Sequence, residues 1–568
     1  MEIARVASVM ADAGAAPSGD VASVLIEAQD DASVYESVGA GANGVEKLAT
    51  GFFSATVRGE QARKLIDNPN VRRIETKKES TPHLSAVQPE IRLTGAGGAR
   101  TVTEDGSGVL IGVIDTGFDL SHPAFRDSSG KLRVAGLLDQ TNGNREFTTA
   151  QLETGWANGS NPGSDENGHG THVASIAGGT RFHNLEGVAP KAKFLLVKTD
   201  FRNTANAVVW TFQKAGAAPC AVNMSLGHHF GPHDGTTSEE RLQESLTGPG
   251  KIIVVSAGNE RDDNIHIGSR FTAGSSQEAV FNILRRQNQT PGVALTAWYS
   301  QSDVFEGALI TPAGQTLPLP AIGFTDRFPG STQIEISRRL YPLGNLVQVQ
   351  IVIDLPFNAP PLALRNWKLR FNCTQASVGR LDSWFGNSGF AVFHDSPFVE
   401  RARTVGMVAT GKGCLAVASH IDRVTWDSDG GDQQSNLVIG QISPFSSVGP
   451  SRDGRQKPEI SAPGQFVSAA LAKGSNLAGL TQRADNANRV LTIEGTSMSA
   501  PVMTGVVALM LQKKSTLTLA DIRTILQNTA RRDANAPTWD PNFGFGKVDV
   551  AAAIAAIGMT ISVGAPTS

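Results

Sequence analysis

Four nearly unbroken apolar runs constrain this chain more than any other feature. They are GVLIGVID at 108–115, FLLVK at 194–198, AVNM at 221–224 and IIVVS at 252–256. A strand with one wet face alternates apolar and polar residues, whereas an unbroken run needs cover on both faces. Helical stretches, among them 172–178 and 205–215, lie between the runs. Strand alternating with helix predicts a doubly wound, mostly parallel α/β sheet. After Val405 the same texture returns, as CLAVASH and APVMTGVVALMLQ.

The chain has 568 residues, room for roughly three to five domain-sized units. Residues 1–80 read as a small α+β domain. ASVLIEAQ at 22–29, FFSATV at 52–57 and VRRIET at 71–76 are its strands. EQARKLIDN is a short helix with Leu65 and Ile66 on its apolar side, closed by Asn68-Pro69. Residues 81–105 have little period and are expected to be a linker. The α/β unit then occupies 106–264 and 404–560. Between its halves, 265–403 alternates: 347–353 and 367–373 do so over seven residues each, and 293–299 and 305–310 are further strands. That pattern predicts an inserted β-sandwich or jelly-roll domain.

Composition excludes several classes. Lys+Arg is 50 and Asp+Glu is 53, a net charge of −3. Such balance argues against a nucleic-acid partner. Three cysteines (Cys220, Cys373, Cys414) cannot make a disulfide framework and are expected to be buried apolar residues. No stretch approaches the ~18 apolar residues of a membrane span. The first residues carry no apolar run of signal-peptide length, so the expected location is cytoplasmic, with secretion left open.

Three short segments carry chemistry. Ile114-Asp115-Thr116-Gly117 ends a buried run. Asn167-Gly168-His169-Gly170-Thr171-His172-Val173-Ala174 and Gly495-Thr496-Ser497-Met498-Ser499-Ala500-Pro501 are turns that run into helices. All three belong at the sheet edge where α/β proteins place ligands. A serine hydroxyl is a weak nucleophile; it needs an adjacent base, and the base needs a third group to hold its tautomer.

VIDTG, NGHGTHVA and GTSMSAP resemble the three catalytic blocks of the subtilisin-like (subtilase) serine peptidases. The resemblance implies that Asp115 orients, His169 is general base and then acid, and Ser497 is the nucleophile. Ser256-Ala257-Gly258-Asn259-Glu260 resembles the family segment that carries the oxyanion-hole asparagine, here Asn259. Asn223-Met224-Ser225-Leu226-Gly227 resembles one wall of the family's S1 pocket. Ser225, Leu226 and Gly227 then face Ala257 and Gly258 across the substrate site. Pro501 is expected in the first helical turn, where its missing N–H would be unpaired anyway. The implied activity is that of a serine endopeptidase on protein or peptide substrates, through an acyl-enzyme.

Several features depart from the family's minimal pattern. The insertion separates Asn259 from Ser497 by 497 − 259 = 238 positions, and resembles the jelly-roll insertion of certain bacterial members. His228-His229 follows Ser-Leu-Gly where a small residue is usual, which alters the S1 pocket. Glu260 beside that pocket could favour basic or large P1 residues, and His228 could oppose this. The N-terminal domain resembles the family's inhibitory propeptide. It is expected to act as an intramolecular inhibitor that holds the enzyme latent, with any cleavage falling within 77–105.

No cofactor or metal is required by this chemistry. Asp427-Ser428-Asp429-Gly430-Gly431-Asp432 hints at calcium, but Gly431 stands where an oxygen ligand is due. His172, three residues after His169, reads as a hydrogen-bonded core histidine rather than a metal ligand, and His122-Pro123 as a turn. A second reading is a catalytically silent scaffold of this fold that recognises a partner through the insertion; the intact set of Asp115, His169 and Ser497 speaks against it.

Overall fold

The computed structural model describes residues 21–38, 45–49, 52–76, 84–95, 98–158, 160–341, 343–532 and 536–558. The targeting reading of the first residues, the side chain of Ile66, and 77–83 and 96–97 of the expected linker and cleavage segment lie outside them. The chain forms two compact units, 1–81 and 82–568.

The smaller unit is an antiparallel sheet. Its strands, in spatial order, are Val45–Ala49, Phe52–Arg58, Val21–Ala28 and Val71–Thr76. Helices Asp31–Val38 and Gly59–Asp67 accompany it. Ile26, Val34, Val38, Phe53, Ala55 and Leu65 form its core.

The larger unit is built on an eight-stranded sheet. In chain order its strands are β1 (Leu110–Asp115), β2 (Val134–Asp139), β3 (Arg145–Thr148), β4 (Lys193–Lys198), β5 (Cys220–Met224), β6 (Lys251–Ser256), β7 (Cys414–His420) and β8 (Ile460–Pro463). Their spatial order is β8-β7-β6-β5-β1-β4-β2-β3, and only β3 runs antiparallel to its neighbour.

The unbroken apolar runs have a direct cause. Ile111, Val113, Phe194, Leu196, Ile252 and Val254 enter the core on one face. Ile114, Leu195, Val197, Val222, Ile253 and Val255 enter a second core on the other. Helices α1 (His169–Gly178) and α3 (Thr496–Lys513) supply the first layer, and α2 (Thr204–Ala215) the second. Fifteen of the eighteen residues of α3 are buried, which explains why that helix is apolar on all sides.

The linker expectation for 81–105 is corrected. Residues Leu84–Glu90 form a helix, and Val87, Ile91 and Leu93 are completely buried in the first core. Their apolar signal is diluted among Ser, Thr, Gly and Pro, so composition hides a segment that packs as part of the α/β unit.

The insertion fills the connection between β6 and β7. One antiparallel sheet orders His266–Arg270, Arg380–Phe385, Gly292–Ser300, Leu346–Asp354, Gln333–Tyr341 and Thr325–Phe328. The other orders Thr316–Pro318, Val304–Ile310, Trp367–Gln375, Ser276–Ile283 and Ala391–Phe393. Both cover a single core that includes Phe281, Leu295, Phe305, Ile351, Trp367 and Phe385, which makes the insertion a β-sandwich.

Candidate active site

Asp115 is the last residue of β1 and fully buried. Its Oδ1 accepts the Thr116 N–H (2.8 Å) and lies 2.7 Å from Nδ1 of His169. With Nδ1–H given to Asp115, Nε2 of His169 is the basic nitrogen. His169 opens α1, and its side chain keeps 23% of its surface exposed. Burial alone would push this imidazole down. The charge and hydrogen bond of Asp115, and the field of Asp165, outweigh it and hold the imidazole above its ordinary pKa.

Asp165 is a component that the motif reading missed. Its carboxylate accepts Gly168 N–H (2.8 Å), Thr171 N–H (2.9 Å), Thr171 Oγ1 (2.7 Å) and Thr116 Oγ1 (2.9 Å). It caps the start of α1 and ties the His169 turn to the end of β1. The signal was present as an Asp shortly before a helix start. Burial raises the Asp165 pKa despite these bonds. Gly170 is required by close approach: a Cβ there would lie 2.3 Å from the Gly117 carbonyl oxygen and 3.0 Å from Asp115 Cβ.

Ser497 is the second residue of α3. Its hydroxyl donates to the Ser225 carbonyl at 3.4 Å. It is not hydrogen-bonded to His169, so the structure joins Asp115 to His169 and turns the Ser497 hydroxyl to Ser225, on a helix that packs in the same core as α1. Catalytic hydrogen bonds commonly tighten only when substrate is bound. Pro501 is the sixth helical residue, not a first-turn residue as expected. Its missing N–H leaves the Ser497 carbonyl without a helical donor. Ser225 Oγ fills that vacancy at 2.8 Å, and Ser225 is held in turn by Asn223 Nδ2 (2.9 Å).

Asn259 follows β6. Its Oδ1 accepts both Thr496 N–H (2.9 Å) and Thr496 Oγ1 (3.0 Å). Those bonds fix the amide and leave Nδ2 as the free donor near the start of α3, where backbone N–H groups also favour negative charge. Ser225 is buried, Leu226 half-buried and Gly227 exposed; Ala257 is buried and Gly258 half-buried. Gly406 N–H bonds the Ala257 carbonyl (2.9 Å) and Met407 N–H bonds the His228 carbonyl (2.7 Å). The 404–408 segment thus links the two walls, a role that its sequence did not announce.

His172 is a core residue, with Nε2 2.9 Å from the Leu491 carbonyl. His122 Nδ1 accepts Ala124 N–H at a turn. The carboxylates of 427–432 do not gather; Asp429 instead binds Asn486 Nδ2 at 2.7 Å. Among the described residues the group of metal-type ligands that does gather is His266, Asp382 and Glu400. There the Arg380 guanidinium already bonds both carboxylates.

Comparison with known proteins agrees with the geometry. Residues 106–546 match the profile of the Subtilase family. The chain is 22% identical over 493 residues to the minor extracellular protease Vpr of Bacillus subtilis, covering 80% of this chain and 52% of that one. It is 24% identical over 439 residues to the C5a peptidase of Streptococcus pyogenes serotype M1, covering 72% and 34%. The chain therefore spans about half, or less, of the length of these curated relatives. Among solved structures, the CspB protease of Clostridium perfringens superimposes with a TM-score of 0.69 at 22% identity, covering 83% of this chain and 97% of that one.

Proposed function

This chain belongs to the subtilase family of serine proteases, and we propose that it is an endopeptidase that cleaves protein or peptide substrates through Asp115, His169 and Ser497. The observation that carries the reading is the 2.7 Å Asp115–His169 bond at the start of α1, a helix that shares its core with α3, which bears Ser497.

An extended substrate strand would pair with the backbone at 225–227, as added strands do at exposed edges. Ser497 Oγ leaves the Ser225 carbonyl, gives its proton to His169 Nε2 and attacks the scissile carbonyl carbon. The developing oxyanion accepts from Asn259 Nδ2 and from the Ser497 backbone N–H. His169 then protonates the leaving amine, and water enters by the reverse route to release the acyl group. Asp115 keeps its bond to His169 Nδ1 and stabilises the imidazolium. These protein groups and water suffice for the proposed steps, which call on no cofactor.

The N-terminal unit is proposed as an intramolecular inhibitor that holds the enzyme latent; its propeptide-like sequence supports this. The name of the Bacillus relative places that protein outside the cell, so the cytoplasmic expectation gains no support from the comparisons. No helix among the described residues is long and apolar enough to cross a membrane.

The test is labelling with a fluorophosphonate probe. Wild type should label and Ser497→Ala should not. Stronger labelling after removal of residues 1–81 would support latency. A folded protein that labels in neither form would replace the endopeptidase reading with a silent scaffold.

A further inference from the structure

Four aromatic rings stand in a column between the candidate pocket wall and the inserted sandwich. His229 stacks on His233 (centroids 5.1 Å, planes at 17°), His233 on Trp384 (4.2 Å, 19°), and Trp384 on His266 (4.5 Å, 10°). A carboxylate stands at each end. Glu260 Oε2 is 3.5 Å from His229 Nε2, and Asp382 Oδ1 is 3.1 Å from His266 Nε2. His229 and His233 belong to the loop after Gly227, whereas Trp384 and His266 belong to the sandwich. At the sandwich end, Asp382 is also bound by Arg380 and faces Arg452, a closed ion-pair cluster. The other end abuts the oxyanion asparagine.

Glu260 is unusual for a carboxylate beside a substrate site. One of its oxygens, Oε2, takes the Asn259 N–H (2.7 Å), the Ser447 hydroxyl (3.0 Å) and the approach of His229. Burial would raise its pKa, but the facing His229 ring nitrogen and the two hydrogen-bond donors together overcome it; the net direction is down. Only 17% of the side chain is exposed. The backbone that carries His229 is clamped from both sides. His229 N–H bonds the Gly386 carbonyl of the sandwich (2.7 Å), and the His228 carbonyl accepts Met407 N–H (2.7 Å). The Phe230 ring lies so close to Gly386 that no Cβ would fit there.

We propose that His229 is a positioning and specificity residue: braced through His233 by Trp384 of the sandwich, it holds Glu260 on the Asn259 amide and keeps that negative charge from the P1 side chain. The pocket then prefers an uncharged P1 residue to Lys or Arg, although an acid follows the oxyanion asparagine in sequence. This rests on the endopeptidase reading. In it the insertion is a structural part of the active site, because its tryptophan supports, through His233, the residue that faces Glu260.

The experiment compares kcat/KM on two peptides that differ only at P1, Leu against Lys, using the full chain. Wild type should favour Leu. His229→Leu keeps bulk but removes the donor; it should shift the ratio towards Lys by about fivefold, the scale of one partly exposed ion pair, and lower kcat. His229→Gln, whose amide can still donate to Glu260, should restore most of the wild-type ratio. Adding Glu260→Gln to His229→Leu should abolish the shift, since no charge is left to release. Each ratio is internal to one sample, so partial unfolding lowers kcat without moving it. A wild type that favours Lys, or a ratio unchanged in His229→Leu, would overturn the role of His229 in a protein that still labels with fluorophosphonate. A wild type that neither labels nor cleaves overturns the endopeptidase reading, and this proposal with it.

Discussion

At the scale of single residues, His169 answers to two carboxylates, and this decides where activity appears with pH. The imidazole must be neutral to act as base. Asp115 and Asp165 stabilise its protonated form and raise its pKa above the ordinary 6.5. Activity should therefore fall as pH drops through a midpoint above 6.5, read as the acid limb of a pH–kcat/KM profile. Asp165→Asn removes one of the two charges and should move that limb to lower pH; a profile flat from pH 5 to 8 would rule out the role of His169. Asp115, His169, Ser497 and Asn259 could be named from sequence because each sits in a short contiguous block that also sets its local geometry. Asp165 left only the trace of a helix-start acid, and Gly406 left none. They act through bonds to Thr116 and Ala257, 49 and 149 positions away, and no local pattern reports such pairings. Pro501 was misplaced by sequence because the start of α3 decides which turn it occupies.

At the scale of elements, the period of the apolar residues carried most of the legible information. Unbroken runs became the central sheet and alternating ones the sandwich, since burial on two faces or one dictates those patterns. Short, weakly patterned elements escaped, namely helix Asp31–Val38 and strand Val45–Ala49. The helix at Leu84–Glu90 escaped too, and it matters for truncation. Val87, Ile91 and Leu93 are fully buried, and each is worth about 1.5–3 kcal/mol of burial. A chain shortened by residues 1–81 should keep the α/β unit folded. Removal of 1–105 should lower its thermal midpoint sharply or leave it insoluble. Equal melting of the two truncations would show that this segment is dispensable.

For the whole molecule, buried histidines set an acid limit. His122 and His172 have no exposed surface, and burial pushes them down to about 4 and about 3. In the unfolded chain they take protons near pH 6.5, so between pH 6.5 and 4 the unfolded state binds more protons and stability falls with pH. Two such groups cost on the order of 5 kcal/mol over two pH units, comparable with the whole stability of a modest domain. His169, with its raised pKa, works in the opposite sense but only above 6.5. The Asp422 carboxyl, raised by burial to about 8, opposes this fall, so the rings are read by substitution: unfolding midpoints should drop less between pH 7 and 4 in His122→Phe than in wild type, and an equal drop would contradict the burial of that ring. The sandwich has a consequence for how such a chain assembles. β6 and β7 pair across 417 − 256 = 161 positions at Ser256–Val417, a long loop for a random chain to close. Within the sandwich, however, Glu400 N–H bonds the His266 carbonyl (3.2 Å), and Ile267 bridges to Val399. Once the sandwich has formed, only 266 − 256 = 10 positions on one side and 417 − 400 = 17 on the other separate its joined ends from that strand pair. Shortening the effective loop roughly sixfold removes about 1.6 kcal/mol of closure entropy. The insertion that looks like an interruption on paper is, for the folding chain, a clasp that brings the two halves of the α/β unit within reach of each other.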